Sequence, residues 1–132
     1  MTMTDPIADM ITRIRNASRA SIRRLDIPAS NMKRRVAEIL LENNFLRSVD
    51  YIEDEIQGIL RVRLRYTPEG KSVIRGIQRI SKPGLRTFMG KKELLKSSRK
   101  LGTVVLSTSS GLMTDKDAVT RGVGGEALFR IW

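Results

Sequence analysis

The chain has 132 residues, of which 40% are hydrophobic, so it can bury one core or two small ones and belongs with folded proteins. Its 25 Lys and Arg against 14 Asp and Glu give a net charge of +11, which favours nucleic acid as a partner over an acidic protein or an anionic membrane. Cys and His are absent, which excludes thiol nucleophiles, disulfides, imidazole acid–base chemistry and zinc sites built from these residues.

The start of the chain lacks a basic stretch followed by an apolar core, and no apolar run approaches the length of a membrane span. We therefore expect a cytoplasmic protein without a membrane partner. Carboxylates and lysines alone form a poor catalytic set, so we expect no enzymatic activity, cofactor, metal or small-molecule substrate.

The first predicted element is an amphipathic helix over residues 6–17. Asp5 can cap this helix, and Pro6 suits its first position. Its apolar side chains recur at i, i+3, i+4 and i+7: Ile7, Met10, Ile11 and Ile14. The opposite face offers hydrogen-bond donors outward: Thr12, Arg13, Asn16 and Arg19.

A short strand over residues 21–27 leads to a second predicted helix. Ser30 can cap this helix, and Asn44 is a suitable left-handed stop. Its predicted apolar stripe consists of Met32, Val36, Ile39 and Leu40, and its first turns carry Lys33, Arg34 and Arg35.

Two further strands complete the first half, over residues 45–52 and 60–66. In the second of these, Leu60, Val62, Leu64 and Tyr66 alternate with Arg61, Arg63 and Arg65. One sheet face is therefore buried, and the arginine face is either solvated or an auxiliary surface for phosphate or protein. We predict an N-terminal domain, residues 1–66, with two helices on one face of a small three-stranded sheet.

Turn chemistry at residues 67–70, TPEG, marks the predicted domain boundary. Residues 1–66 hold 12 basic and 9 acidic side chains, net +3, whereas residues 67–132 hold 13 and 5, net +8. Residues 71–100 hold ten Lys or Arg and one acid, together with apolar side chains, which indicates a folded basic surface rather than a tail. Pro83 and Gly84 predict a type II turn within it.

The second half is predicted to be a mostly β domain, residues 67–132, with one short helix. A strand over residues 103–107 precedes a helix that Thr114 caps and Gly122 ends. A last strand over residues 126–132 ends at Trp132, which we expect to be buried. The predicted fold class is therefore α+β.

A hydroxyl-rich segment follows the strand at residues 103–107. Ser107, Thr108, Ser109, Ser110 and Gly111, which we call the hydroxyl loop, place four hydroxyl groups on a turn. Such a turn either binds phosphate, 2′-hydroxyl or base edges through directed hydrogen bonds, or is only a turn. It lacks the Gly-Lys-Ser/Thr ending of a nucleotide-binding phosphate loop.

Two adjacent glycines, Gly124 and Gly125, precede the last strand. They serve either a hairpin or bulge that needs positive φ, or the close approach of another backbone or a base. Asp115 and Asp117 suit the start of a helix better than a metal or general-base cluster with Glu126.

Several segments together carry a resemblance to ribosomal protein eight of the bacterial small subunit. These segments are DPIADMITRIRN at residues 5–16, SKPGLR at 81–86, LG at 101–102, STSSGLMTD at 107–115 and GVGGEALFRIW at 122–132. The resemblance spans nearly the whole chain, with order and spacing intact, and is more specific than any single motif.

The resemblance implies a two-domain α+β protein that binds the central domain of small-subunit ribosomal RNA early in assembly. It implies contacts with an irregular RNA helix from Ser107, Thr108, Ser109, Gly111, Gly124, Gly125 and Glu126. The basic surface adds Lys82, Arg86, Lys91 and Lys92 as candidates. A second RNA element is expected near Thr4, Arg13, Asn16 and Lys33.

The resemblance also implies partners beyond ribosomal RNA. Members of the family contact proteins five and twelve of the same subunit. In many bacteria they also repress their own operon by binding an mRNA that mimics the ribosomal site. We expect the same partners here.

The chain departs from the family pattern at three places. Ser110 stands where a basic residue is common, which weakens one expected phosphate contact. Phe129 and Arg130 replace a Cys followed by an aromatic residue, although Phe129 and Ile131 still alternate as a strand requires. Leu95 replaces a common Pro, so we expect a different turn there.

Overall fold

The structure, a computed structural model, describes residues 5–132. These residues divide into two compact units, Pro6–Arg75, here the N-terminal unit, and Gly76–Trp132 with Asp5, here the C-terminal unit. The predicted turn at residues 67–70 lies inside the N-terminal unit, because Tyr66 pairs with Ser72 and the Ser18 hydroxyl donates to Ser72 Oγ at 2.6 Å. The predicted α+β class is confirmed.

The N-terminal unit consists of two helices and a three-stranded antiparallel sheet within its described residues. In chain order its elements are α1 (Pro6–Arg19), β1 (Arg24–Pro28), α2 (Asn31–Glu42), β2 (Leu46–Ile52) and β3 (Ile59–Leu64). Strand β3 is central, between β1 and β2. Apolar faces of both helices and of β3 supply the core: Ile7, Met10, Ile11, Ile14, Val36, Ile39, Leu40, Leu60, Val62 and Leu64.

Local chemistry fixes the ends of α2 as predicted. Ser30 Oγ accepts a hydrogen bond from the Lys33 backbone N–H at 3.2 Å, and Asn44 has a φ of +66°. Met32 was wrongly predicted to be part of the apolar stripe, because it lies in the first turn of α2 and is exposed. The buried stripe begins at Val36 and includes Ala37.

The C-terminal unit is mostly strands. In chain order its described elements are β4 (Ile77–Arg79), β5 (Phe88–Met89), α3 (Lys91–Ser98), β6 (Thr103–Thr108), β7 (Gly111–Thr114), α4 (Asp115–Arg121) and β8 (Gly125–Ile131). The antiparallel sheet has the order β4-β8-β6-β7, and β5 also pairs with β8. Helices and strands share one core: Leu94, Val104, Leu106, Met113, Ala118 and Ala127.

Two segments of this unit, near Leu95 and around Gly84, differ from the sequence prediction. Helix α3 replaces the turn expected near Leu95, and only Leu94 on it is buried, so it leaves little apolar periodicity to detect. The turn around Gly84 is closed by paired Lys82 and Leu85, but Gly84 lacks the positive φ of a type II turn.

Trp132 was predicted to be buried, but it is 37% exposed. A Cβ on Gly76 would lie 2.2 Å from the indole ring, so the ring packs directly against the Gly76 backbone. The predicted last strand is confirmed, since Phe129 and Ile131 are fully buried. Among the described helices, none is long and apolar enough to cross a membrane.

The packing of α3 generates a stability test between two adjacent leucines. Leu94 is 0% exposed and Leu95 is 43% exposed. We expect Leu94→Ala to lower the free energy of unfolding by about 2–5 kcal/mol, because it leaves a cavity in the core. Leu95→Ala, the matched control, is expected to cost less than about 1 kcal/mol. Urea unfolding of both variants measures the difference, and equal losses would contradict this packing.

Candidate nucleic-acid interface

The Gly125 end of β8 brings distant segments of the chain together. Glu126 pairs with Phe88 of β5 on one side and with Ser107 of β6 on the other, and Gly125 pairs with Met89 and Thr108. Residues directly opposite each other in a sheet share one face. Phe88, Glu126 and Ser107 therefore form a row across the sheet, which we call the Glu126 row.

The hydroxyl loop is the two-residue turn of a hairpin between β6 and β7, with its flanking residues. Thr108 Oγ1 donates to the Gly111 carbonyl at 2.8 Å and accepts from the Ser110 backbone N–H at 3.1 Å. Gly111 has a φ of +103°, which favours glycine. Thr108 and Gly111 therefore hold the turn.

The other two candidate hydroxyls of this loop are in a different situation. Ser107 is half-buried in the Glu126 row, and Ser109 is exposed at the turn. Within residues 5–132, neither hydroxyl group has a hydrogen-bond partner. The loop therefore divides into residues that build it and two hydroxyls that can bind a ligand.

Gly124 and Gly125 allow the close approach of neighbouring backbone. Neither has positive φ, so the hairpin or bulge alternative is not the reason for these glycines. A Cβ on Gly124 would lie 2.7 Å from the Met89 carbonyl oxygen, and one on Gly125 would lie 2.3 Å from the Ser107 carbonyl oxygen. These glycines let β5 and β6 close onto β8.

The basic candidates lie on the two segments of the C-terminal unit that flank β5. Ser81 Oγ accepts from the Thr87 backbone N–H at 2.7 Å and so ties the two ends of the turn that carries Lys82 and Arg86. Arg86 Nη1 donates to both carboxylate oxygens of Glu126, at 3.2 and 3.1 Å. Arg86 is therefore partly neutralised, and Glu126 is held in place rather than free.

The lysine candidates remain uncompensated. Lys82 is exposed on its turn, and Lys91 and Lys92 are exposed at the start of α3. In the part of the chain that the structure describes, none of the three makes an ion pair. They are the cations that this surface can offer to a polyanion.

Phe88 was not among the candidates predicted from the sequence. Its side chain is 71% exposed, in the Glu126 row, and Leu85 on the preceding turn is equally exposed. An exposed aromatic ring among cations is a surface on which a base can stack. The sequence offered one indication of this role, an aromatic residue between Arg86 and Lys91. The exposure of its ring, however, depends on the pairing of β5 with β8.

The acids near this surface have structural roles. Asp115 is fully buried, where it accepts from the Ser97 hydroxyl at 2.8 Å and from the Lys116 backbone N–H at 3.0 Å. Thr114 Oγ1 accepts from the Asp117 backbone N–H at 3.2 Å, which confirms the predicted cap of α4. Asp115 and Asp117 are thus helix-start residues, as predicted.

The N-terminal candidates belong to the other unit. Arg13 pairs with Asp9 at 3.1 Å, and Asn16 is exposed on the same helix, α1. Lys33 Nζ donates to the Pro28 carbonyl at 3.4 Å. Thr4 lies outside the described residues. The RNA contacts of these four residues stay predictions.

The C-terminal unit thus carries available hydroxyls, an exposed aromatic ring and uncompensated lysines. The sequence model of the family described as ribosomal protein S8 matches residues 5–132. The small ribosomal subunit protein uS8 of Clostridioides difficile is 52% identical over 132 residues, and those of Streptococcus gordonii and Geobacillus kaustophilus are each 51% identical. Each match covers all of both chains.

The chain therefore belongs to the ribosomal protein S8 family. This membership confirms the predicted resemblance. It also confirms the predictions of a structural, non-enzymatic protein and of a cytoplasmic ribosomal location.

The close approach at Gly125 generates a second stability test. We expect Gly125→Ala to destabilise the chain by about 1–3 kcal/mol, because its Cβ would overlap the Ser107 carbonyl oxygen and force β6 away from β8. Gly84→Ala is the matched control, since a Cβ there meets nothing within 4 Å, and we expect a change within about 1 kcal/mol. Urea midpoints measure both. Equal effects would show that β8 and β6 tolerate separation.

Proposed function

We propose that this chain is a structural constituent of the small ribosomal subunit and a primary binder of the central domain of its ribosomal RNA. The Glu126 row carries the proposal, because it combines the available Ser107 hydroxyl, the exposed Phe88 ring and a carboxylate fixed by Arg86. Family membership supports the ribosomal setting, since the relatives are named as small-subunit proteins.

The surface divides attraction and discrimination between different residues. Lys82, Lys91 and Lys92 supply affinity through counterion release, which carries no sequence information. Ser107 and Ser109 offer hydroxyls that donate and accept hydrogen bonds, and so can match 2′-hydroxyls, phosphates and base edges of an irregular RNA helix. The glycine backbone at Gly124 and Gly125 keeps this face free of bulk.

The family resemblance supports a wider role for the chain. In the proposed role it helps to assemble the platform of the subunit, where it contacts ribosomal proteins five and twelve. It also represses translation of its own operon through an mRNA that mimics the ribosomal site. Thr4, Arg13, Asn16 and Lys33 face a second RNA element in this proposal.

The hydroxyl loop is tested by Ser107→Ala combined with Ser109→Ala. We expect binding to a central-domain transcript to weaken by about 1–3 kcal/mol, because RNA groups lose partners that water does not replace at a closed interface. Affinity for a scrambled transcript is expected to change little. Filter binding or anisotropy measures both affinities.

The control for this experiment removes two hydroxyls with known structural partners. Ser98 Oγ donates to the Leu95 carbonyl at 2.9 Å, and Thr120 Oγ1 donates to the Lys116 carbonyl at 3.1 Å. Ser98→Ala with Thr120→Ala is expected to leave cognate binding unchanged. If the Ser107 and Ser109 pair also had no effect, the loop would be only a turn.

The lysines are tested by the salt dependence of binding. Replacing Lys82, Lys91 and Lys92 with Gln is expected to make the log–log slope shallower by up to about 0.9 per lost phosphate contact, while preference for the cognate transcript survives. Lys100, Lys116 and Arg121 replaced with Gln form a control with the same loss of charge in the same unit. Indistinguishable slopes for the two triple variants would move the electrostatic contact elsewhere.

A further inference from the structure

A second cationic feature lies in the N-terminal unit, at one end of its sheet. An open cavity of about 640 Å³ is lined by four arginines and by the turn that follows β3. Arg23 precedes β1, Arg47 lies on β2, Arg63 lies on β3 and Arg65 follows it. Strands β2 and β3 and the segment before β1 therefore contribute to this feature, which we call the arginine cavity.

Charge within the arginine cavity is only partly compensated. Arg63 Nη1 pairs with Asp50 at 3.1 Å, whereas Arg65 Nη1 donates to the neutral Asn44 Oδ1 at 3.3 Å. Among residues 5–132, the side chains of Arg23 and Arg47 have no ion-pair or hydrogen-bond partner. Four guanidinium groups less one carboxylate leave a local charge of +3.

A β-bulge turns Arg47 toward this cavity. Leu46 pairs with Leu64, but the next pair is Ser48 with Arg63, so Arg47 is the extra residue on β2. Bulges redirect a side chain that regular pairing would place elsewhere. Next to the bulge, Ser48 Oγ is buried without a hydrogen-bond partner in the described chain.

Hydrogen bonds fix the walls of the arginine cavity. The Leu64 backbone N–H donates to the Arg23 carbonyl at 3.0 Å, and Tyr66 Oη donates to the Ile22 carbonyl at 2.5 Å. The turn after β3 is closed by the Thr67 backbone N–H, which donates to the Lys71 carbonyl at 2.7 Å. The backbone that carries the arginines is thus preorganised, which lowers the entropic cost of binding.

We propose that the arginine cavity binds phosphate groups of an RNA backbone, with Arg23 and Arg47 as its main ligands. Guanidinium groups match phosphate oxygens in a bidentate geometry. This inference rests on the proposed RNA-binding function and adds a second, sequence-independent contact to it.

The lining favours RNA over an acidic protein segment. Protein interfaces bury an apolar centre with aromatic anchors, whereas interfaces with nucleic acid are polar, positively charged and hydrated. In the arginine cavity, Leu64 is already buried in the core, and the Tyr66 hydroxyl is engaged with Ile22. Arginines, rather than apolar anchors, dominate the accessible lining.

The test uses the full chain and a 12-nucleotide oligouridylate. We expect Arg23→Gln with Arg47→Gln to make the log–log salt slope shallower by up to about 0.7 per lost single-strand phosphate contact, thus by up to about 1.4. Arg19→Gln with Arg75→Gln removes the same charge from exposed positions of the same unit outside the cavity, and its slope is expected to change less. Arg23→Lys with Arg47→Lys should keep a slope close to that of the parent but weaken the affinity, since charge remains but the planar fork is lost.

Two results would overturn the proposal. Equal slope changes in the two Gln pairs would show that only the general field matters. A 12-residue oligoglutamate that depended on Arg23 and Arg47 more strongly than the oligouridylate would assign the cavity to an acidic protein. Each variant must have a urea midpoint close to that of the parent, which shows that it is folded. In the parent chain, the side-chain Nε–Hε NMR signals of Arg23 and Arg47 should move most when oligouridylate is added.

Two pairs of variants distinguish a failure of the arginine-cavity proposal from a failure of the proposed function. The Arg23 and Arg47 variants are expected to keep the preference for a central-domain transcript over a scrambled one, and the Ser107 and Ser109 variant is expected to lose it. If only the serine pair had an effect, the arginine cavity would not bind RNA. If only the arginine pair had an effect, the cavity would stand and the hydroxyl loop would lose its role.

Discussion

Backbone pairing along β8 is the constraint on which the candidate RNA surface depends. This strand pairs with β4, β5 and β6, and thereby places Phe88 and Ser107 on either side of Glu126. The pairing is close because Gly124 and Gly125 carry no side chains that would meet the Met89 and Ser107 carbonyl oxygens. Contacts that are distant in sequence are thus fixed by main-chain hydrogen bonds, which leaves the Phe88 ring and the Ser107 hydroxyl on this face available for a ligand.

The arginines of the N-terminal unit differ in whether an acidic side chain pairs with them. On the sheet of the N-terminal unit, Arg61 donates to both carboxylate oxygens of Asp26, at 3.0 and 3.2 Å, and this hydrogen bonding lowers the pKa of Asp26. The pair therefore stays ionised at neutral pH. Its contribution to the stability of the fold is lost only as the pH falls through the lowered pKa of Asp26. Much of the predicted arginine face is accordingly paired within the sheet, while Arg23 and Arg47 at its end are not.

Local chemistry explains what the sequence was able to predict. Ser30 and Thr114 cap their helices through contacts within three residues, and the alternation of Leu60, Val62 and Leu64 records one buried face of β3. Helix α3 was not predicted, because a single fully buried residue, Leu94, gives no periodic pattern. The exposure of Phe88 and the bulge at Arg47 depend on the register between strands, which no short window of sequence contains.

The same distinction separates hydroxyl groups that are engaged within the hydroxyl loop from those without an internal partner. Thr108 and Ser109 are adjacent hydroxyl residues that the sequence cannot tell apart, yet Thr108 Oγ1 both donates to Gly111 and accepts from Ser110. Because its hydrogen bonds are used within the turn, its loss would act first on the hairpin, whereas the loss of the Ser109 hydroxyl would leave the hairpin bonds intact. Arg63 and Arg47 differ in a similar way. Asp50 forms an ion pair with Arg63, whereas Arg47, the extra residue of the β-bulge, has no partner in the described residues. Groups left without an internal partner beside a rigid, paired neighbour are therefore the ones that the proposed function assigns to RNA.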